Sequence, residues 1–308
     1  MAVETFHTLI ARNRRNTWLL IVLFGLFFVG LGMLIGTVWI GGTHGGLGLA
    51  VLAGTVAFFL TLASYYGGSS VLLGLSQARR IVKSDDPQLF NVVEELCLAG
   101  GLPMPQIYLI DDTAMNAFAT GRDPRHAAVA ITTGLRTRLN RDELTGVMAH
   151  ELSHVRHYDI LFATLVAVMV GVLVMLCDVF LRSRWWGGSR RGSRDRGSQG
   201  GAVILVIVAL VLAIITPILA KIIQMAISRQ REYLADAGAV ELTRNPEGLA
   251  GALAKLAGDQ EVLEVANRAT APLYIVHPIR KTEERSASIF DTHPPIKDRI
   301  ARLMSLAS

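Results

Sequence analysis

The sequence predicts an α-helical membrane protein that also carries an α+β domain, mostly helical with a small β-sheet. Two observations favour this class. Hydrophobic residues make up 51% of the 308 residues and the mean hydropathy is +0.42, which excludes a disordered chain and disfavours an ordinary soluble domain. In addition, the 63 residues from Asn16 to Ala78 include no Asp, Glu, Lys or Arg. A long stretch of the chain is therefore suited to a lipid environment.

That uncharged stretch predicts a transmembrane hairpin over residues 1–78. The glycine-rich segment from Gly41 to Gly46 divides it into two apolar helices, Thr17 to Ile40 and Leu47 to Tyr66. A helix of 24 residues rises about 36 Å and so exceeds a hydrocarbon core of about 30 Å. No small-residue cleavage site follows the first helix, so we expect it to be retained rather than removed as a signal peptide.

Two weaker apolar segments follow later in the chain, Ile160 to Leu181 and Ala202 to Ala220. They predict a second hydrophobic helical hairpin over residues 160–228. Its loop, residues 182–201, is rich in Arg, Gly and Ser, a composition typical of a flexible connection rather than a folded unit.

Two polar blocks, residues 79–159 and 229–308, lie on either side of this second hairpin. Each block alone is small for building a hydrophobic core, so we expect the two to form one discontinuous domain of typical size. Within the first block, the β-branched runs Gln106 to Ile110 and Ala127 to Thr132 predict strands. Asn140, followed three residues later by Glu143, resembles a capping box that begins a helix leading into the third apolar segment, here predicted as Arg141 to Tyr158.

The net charge of +5 is concentrated in one short segment. Residues 182–196 contain six arginines and one aspartate, so the rest of the chain balances at 24 basic against 24 acidic residues. The sequence therefore offers no general basic face for a phosphate backbone, and we expect no nucleic-acid partner. The two cysteines, Cys97 and Cys177, lie in a polar and an apolar region. They do not indicate a disulfide framework, which fits a reducing compartment.

The predicted helix carries an H-E-x-x-H motif at residues 150–154. Four residues make just over one helical turn, so His150 and His154 share a face and both imidazoles can reach one Zn²⁺ ion. Glu151 lies beside that metal position, where it can take a proton from an activated water and later deliver it to a leaving amine. The alternative is two surface histidines on a polar helix.

The third ligand must come from another part of the chain. The extended motif H-E-x-x-H-x-x-G-x-x-H would need glycine and histidine where this sequence has His157 and Ile160. A His₂Glu site, one zinc per chain, is the natural candidate. Glu232 and Asp236 share a helical face just after the fourth apolar segment, and we assign Glu232 as the ligand and Asp236 as the hydrogen-bond partner of a ligand imidazole. The alternative is an ordinary solvated acidic pair.

At this point the sequence resembles the HtpX-type membrane zinc metalloproteases, relatives of the CAAX prenyl proteases. The resemblance covers nearly the whole chain. Besides the N-terminal hairpin, it rests on Asn116-Ala-Phe-Ala-Thr-Gly121, Ala127-Ala-Val-Ala-Ile-Thr-Thr-Gly134, His150-Glu-Leu-Ser-His154, Glu232-Tyr-Leu-Ala-Asp236-Ala-Gly, and Thr292-His-Pro-Pro295 with Arg299.

The resemblance implies a zincin-like fold of the gluzincin type and a role for each matching residue. His150, His154 and Glu232 would bind zinc, Glu151 would act as general base and acid, and Asp236 would orient a ligand. The residues Asn116, Ala117, Phe118 and Ala119 resemble the substrate-binding edge strand of the family, although composition alone would predict a turn there. His293 and Arg299 resemble a C-terminal pair that lies near the oxyanion in the prenyl-protease relatives; the bland alternative for His293 is a helix-entry turn without chemistry.

The charge flanking the first hairpin predicts its orientation. Arginines at 12, 14 and 15 precede it, and Arg79, Arg80 and Lys83 follow it, whereas the connecting loop has no basic residue. The positive-inside rule therefore places both ends, and the active site, in the cytoplasm. A complete second hairpin would leave the arginine-rich loop outside. Either the first hairpin dominates and the loop is tolerated there, or the third and fourth segments enter the membrane only in part or pack against protein.

We therefore expect a multi-pass integral protein of a bacterial plasma (inner) membrane that acts as a zinc-dependent endopeptidase. By resemblance, its polypeptide substrates are misfolded or damaged membrane proteins, degraded in quality control and the stress response. One alternative is a narrow processing protease of lipidated peptides. The other is a non-catalytic membrane scaffold with structural zinc, which would not need Glu151.

Overall fold

The computed structural model describes residues 6–37, 40, 42–169, 171–172, 229–259, 261, 263, 273–275 and 294–307. The arginine-rich loop, the predicted fourth apolar segment and His293 lie outside the described residues.

The N-terminal hairpin consists of α1, Phe6–Gly36, and α2, Gly42–Leu75, which pack against each other. Each contains a stretch long and apolar enough to cross a membrane. The predicted division into two helices is confirmed, but α2 begins at Gly42 rather than near Leu47, so most of the Gly41 to Gly46 segment belongs to that helix. Glycine at these positions lets the helices approach closely: a Cβ atom on Gly46 would lie 2.5 Å from the Thr37 side chain.

A four-stranded sheet follows the hairpin. Its strands are β1 (Arg79–Arg80), β2 (Gln106–Ile110), β3 (Ala117–Gly121) and β4 (Ala127–Thr132), in the spatial order β1-β2-β4-β3. Strands β2 and β4 are parallel, whereas β3 runs antiparallel to β4 and forms one edge of the sheet. The predicted bounds of β2 and β4 are confirmed.

Seven further helices are described beyond the hairpin, besides a short 3₁₀ turn at Pro124–His126. They are α3 (Pro87–Gly100), α4 (Thr133–Arg138), α5 (Arg141–Arg156), α6 (Asp159–Met169), α7 (Arg229–Thr243), α8 (Pro246–Gly258) and α9 (Ile296–Met304). Helix α5 is central, because α3, α7, α8 and β3 all pack against it. Its apolar residues, including Leu144, Val147 and Leu152, are completely buried.

Both ends of α5 are defined by specific residues. The predicted capping box is confirmed, since the Glu143 N–H donates to Asn140 Oδ1 at 2.9 Å and the Asn140 N–H donates to Glu143 Oε2 at 2.8 Å. The predicted end at Tyr158 is wrong: α5 ends at Arg156, and Tyr158 has a φ of +61°. A left-handed residue interrupts the helical hydrogen-bond pattern. The chain therefore turns before α6 begins at Asp159.

Candidate metal and active site

The H-E-x-x-H residues lie in the middle of α5 and are enclosed by the rest of the domain. His150 and Glu151 are only 1% and 2% exposed. The Nε2 atoms of His150 and His154 lie 3.2 Å apart. Burial and this convergence contradict the alternative of two surface histidines on a polar helix.

Helix α7 brings Glu232 to the same point. One carboxylate oxygen lies 3.7 Å from His150 Nε2 and the other lies 3.7 Å from His154 Nε2. Zinc bonds of about 2.0–2.1 Å in tetrahedral geometry place neighbouring ligand atoms about 3.3 Å apart. The three side chains therefore fit around one metal ion, and their potential ligand atoms lie within 4.8 Å of one another.

A buried carboxylate and a buried guanidinium surround the His150 imidazole. Asp236, one helical turn after Glu232, places Oδ1 3.0 Å from His150 Nδ1. Arg299, from α9, donates to both oxygens of Asp236, with Nε–Oδ2 at 2.9 Å and Nη2–Oδ1 at 2.6 Å. Its Nη1 lies 3.4 Å from Glu232 Oε2. Glu232 and Asp236 are both buried, which contradicts the alternative of a solvated acidic pair.

The His154 imidazole has a carboxylate partner of its own, which the sequence did not predict. Asp159 Oδ2 lies 3.1 Å from His154 Nδ1. The Asn13 amide of α1 donates to Asp159 Oδ1 at 2.6 Å and to the His157 carbonyl at 3.0 Å, and Asn13 is buried. A residue of the membrane hairpin therefore contacts the group that holds a potential metal ligand.

Both imidazoles thus present Nε2 to the metal position and Nδ1 to a carboxylate. This is the arrangement that orients histidine ligands and fixes their tautomer in metalloproteins. Burial alone would lower the pKa of His154, but the hydrogen bond of Asp159 and the charge of Glu232 raise it to about 9. Burial raises the pKa of Asp236, but Arg299 and His150 outweigh it and leave that pKa below the ordinary value.

Glu151 lies next to the edge strand of the sheet. Burial raises the pKa of Glu151 to about 7, although a hydrogen bond from the Ala119 backbone N–H lowers it in part. A carboxyl group with a pKa near neutrality can both accept and return a proton at physiological pH. It therefore combines the position and the acidity that general base and acid catalysis need.

The segment predicted as a substrate strand is a strand, not the turn that composition suggests. Asn116 directly precedes β3, whereas Ala117, Phe118 and Ala119 belong to it. On the side away from β4, the Ala117 carbonyl accepts from the Ile275 N–H at 3.0 Å, and the Gly121 N–H donates to Thr164 Oγ1 at 3.3 Å. Successive residues of a strand alternate in direction, so the backbone of Ala119 faces this same outer side, towards Glu151.

Arg299 and His293 were expected close to the oxyanion. The structure places the Arg299 side chain against Asp236, His150 and Glu232, with the residue only 1% exposed. His293 lies outside the described residues.

The chain is similar to known proteins over most of its length. A family model described as peptidase family M48 matches residues 83–307. A protease HtpX homolog of Ligilactobacillus salivarius (strain UCC118) is 44% identical over 295 residues, 96% of this chain and 97% of the relative. Another, of Thermoanaerobacter pseudethanolicus (strain ATCC 33223 / 39E), is 43% identical over 306 residues, 99% of each chain. The crystal structure of S. mikatae Ste24p matches with a TM-score of 0.43 and 18% identity, covering 80% of this chain and 58% of that one.

Proposed function

This chain belongs to peptidase family M48, which confirms the resemblance found in its sequence, and we propose that it is a zinc-dependent endopeptidase of the gluzincin type. Family membership makes it a metalloprotease. The single observation that carries the finer proposal is the convergence of His150, His154 and Glu232 beside the buried Glu151.

His150, His154 and Glu232 would hold the zinc ion through two imidazole nitrogens and one carboxylate. When bound, zinc polarises a scissile carbonyl and lowers the pKa of a water molecule towards 7. Three protein ligands would leave a fourth position for water or substrate, as in catalytic zinc sites. Asp236 and Asp159 would keep the imidazoles oriented with Nε2 towards the ion.

Glu151 would take a proton from the attacking water and then return it to the leaving amine nitrogen. General acid–base groups of this kind contribute about 10²- to 10⁴-fold to rate. A structural zinc site does not need such a residue, so Glu151 supports the enzyme over the scaffold.

The outer side of β3 would bind the substrate polypeptide as an added strand. Unpaired backbone groups at a sheet edge accept an extended peptide with little regard for its side chains. Ala119 would supply this pairing next to Glu151, which keeps the scissile bond close to the general base. Ile275 already occupies the Ala117 carbonyl, the Gly121 N–H donates to Thr164, and the Ala119 N–H donates to Glu151. The added peptide would therefore pair with the Ala119 carbonyl and would have to displace one of these contacts to extend further.

Arg299 would act as a positioning residue. It holds Asp236 with two hydrogen bonds and lies close to Glu232, and it has no solvent-exposed face. We propose that it positions both Glu232, a zinc ligand, and Asp236, the hydrogen-bond partner of the ligand His150. Other hydrogen-bond donors would then stabilise the oxyanion. A role for His293 near the oxyanion stays a prediction.

The cellular setting is part of the same proposal. We propose a multi-pass protein of the bacterial inner membrane, with its active site facing the cytoplasm and with damaged or misfolded membrane proteins as substrates. Support comes from the two apolar helices of the hairpin and the basic residues flanking them. The proposed domain division remains residues 1–78, residues 79–159 with 229–308, and residues 160–228.

Glu151→Gln and Glu232→Ala test the mechanism in the full-length protein. We expect Glu151→Gln to bind one zinc per chain and to lose casein cleavage by at least about 10²-fold, because only the proton transfer is removed. Glu232→Ala should lose zinc itself. Equal cleavage by Glu151→Gln and the parent would refute the mechanism.

The same assay separates the alternatives. Zinc in the parent without casein cleavage would favour a scaffold, or a processing protease if a lipidated peptide is then cleaved.

A further inference from the structure

A cavity lies between part of the membrane hairpin and the polar domain. Its volume is about 1200 Å³, larger than the roughly 300–1,000 Å³ of typical ligand sites. Helices α1 and α2 form one wall, and residues 101–103 and 122–125 contribute to the opposite side. The cavity therefore lies where the spanning helices meet the polar domain.

The residues of α1 that line the cavity form a stripe along the helix, and this stripe is about as long as one leaflet of a bilayer is deep. On α1 the cavity is lined by Arg14, Trp18, Ile21 and Gly25, which recur every three or four residues and so share one helical face. The 11 steps from Arg14 to Gly25 rise about 16 Å. Half of a hydrocarbon core of about 30 Å is about 15 Å, so the stripe runs from the membrane interface towards the bilayer centre.

The two ends of the cavity differ in chemistry. At the end next to the polar domain it is lined by Arg14, Arg122 and Arg125, whereas Gly25 and Gly54 line the far end. Aromatic rings hold two of these guanidinium groups: Arg14 lies 4.8 Å from the ring centroid of Tyr158, and Arg122 lies 5.2 Å from that of Tyr66. Such rings and arginines are typical of the level of lipid headgroups.

The arginines leave a net positive charge at this end. Among the described residues that line the cavity, Asp123 is the one acidic residue. Its carboxylate already contacts the His126 imidazole at 2.8 Å and the Arg122 guanidinium at 3.6 Å. Three arginines against one engaged carboxylate favour an anionic ligand group.

We propose that this cavity binds one anionic glycerophospholipid of the adjacent leaflet. The phosphate lies among Arg14, Arg122 and Arg125, and the acyl chains run along the stripe towards Gly25 and Gly54. Cationic groups at the interface and an apolar wall of one-leaflet depth match the two halves of a phospholipid. This site is separate from peptide hydrolysis and does not depend on it.

Native mass spectrometry of the full-length protein in non-ionic detergent tests the site. Delipidated protein is mixed with phosphatidylglycerol or with phosphatidylcholine of the same acyl chains. We expect one phosphatidylglycerol per chain, with phosphatidylcholine retained at least about tenfold more weakly, because only the former carries a net negative charge.

Charge variants test the headgroup end. Arg122→Gln with Arg125→Gln should weaken phosphatidylglycerol binding by about fivefold per arginine. The matched control is Arg79→Gln with Arg80→Gln. These two arginines are exposed on β1 and do not line the cavity, so binding should stay unchanged.

Bulk variants test the acyl end independently of charge. A Cβ atom on Gly25 meets no other atom within 4 Å, so Gly25→Phe fills the cavity without a backbone clash and should abolish lipid retention. Gly30 on the same helix has equally open surroundings but does not line the cavity. Gly30→Phe should therefore retain lipid.

Three results would overturn the proposal. Equal retention of both lipids would show an apolar groove without headgroup recognition. Unchanged binding in both the Arg122/Arg125 and the Gly25 variants would place any retained lipid elsewhere. A co-purifying peptide in place of lipid would identify a different occupant.

Discussion

The two histidines of the metal site are held by carboxylates from different parts of the molecule. His150 contacts Asp236, which Arg299 of α9 holds with two charged hydrogen bonds. His154 contacts Asp159, which accepts from the neutral amide of Asn13 on membrane helix α1. One half of the site is thus a hydrogen-bonded ion-pair cluster within the polar domain. In the other half, Asp159 accepts a hydrogen bond from the hairpin and has a longer ion-pair contact, 3.6 Å from Arg231 Nη1.

Because of this difference, substitutions around the two histidines should differ in how much they affect folding stability relative to metal binding. Removing one partner of a buried ion pair leaves an uncompensated charge, so changes around His150 should affect both folding and zinc. A lost amide hydrogen bond costs much less. The ion-pair contact of Asp159 with Arg231 is also longer than that of Asp236 with Arg299. Changes around His154 should therefore destabilise the fold less than changes around His150, and their main effect should be on the metal.

The largest expected effect comes from breaking the cluster. Arg299→Met leaves Asp236 and Glu232 buried without their counter-charge, which should cost about 3–5 kcal/mol of unfolding free energy and abolish zinc binding. Thermal unfolding in detergent and zinc content measure the two effects. Arg302→Met is the control, because Arg302 is exposed on the same helix and stacks on Tyr233. An Arg299→Met protein as stable as this control would refute the ion-pair role.

A matched pair of carboxylate-to-amide substitutions sharpens the comparison. Asp236→Asn and Asp159→Asn should each weaken zinc affinity by about 10- to 100-fold, because each removes the charge behind a ligand imidazole. Asp236→Asn should lower the melting temperature of the metal-free protein more than Asp159→Asn, since Arg299 donates two hydrogen bonds to Asp236 whereas Arg231 lies 3.6 Å from Asp159.

Competition with a fluorescent zinc chelator gives the affinities, and unfolding without metal gives the stabilities. Equal destabilisation by the two variants would show that the two halves do not differ as described.

The smallest expected effect tests the link to the membrane hairpin. Asn13→Ala removes the hydrogen bonds to Asp159 and to the His157 carbonyl, and should weaken zinc affinity by roughly 5- to 10-fold, the equivalent of about 1 kcal/mol. Asn16→Ala, one helical turn further along α1, is the control. In a double-mutant cycle, Asn13→Ala should add little to Asp159→Asn, because both act on the same contact. Full additivity would contradict the link.

The sequence predicts the half of the site that local patterns encode. The motif at 150–154 needs only the helical period, and the spacing of Glu232 and Asp236 places both on one face of a second helix. The strands β2 and β4 follow from their β-branched composition. Each of these predictions rests on residues close together in the chain.

The other half, the contacts around His154, depends on a backbone conformation that no local sequence pattern indicates. In a continuous helix, Asp159 would point about 140° away from His154. A helix predicted to run to Tyr158 therefore gives no indication that the two side chains are in contact. Tyr158 takes a left-handed conformation that favours Gly or Asn, and no such residue marks the break. Asn13 is found only by tertiary contact, since its partner lies 146 residues away.

That separation of 146 residues also sets an order of events during biosynthesis. At about 5–20 residues per second, Asp159 leaves the ribosome roughly 7–30 s after Asn13, when the hairpin has already been made. Arg299 follows after a further 140 residues, which is 299 minus 159. A nascent chain therefore makes both membrane-capable helices before it can complete the contacts around its candidate metal site.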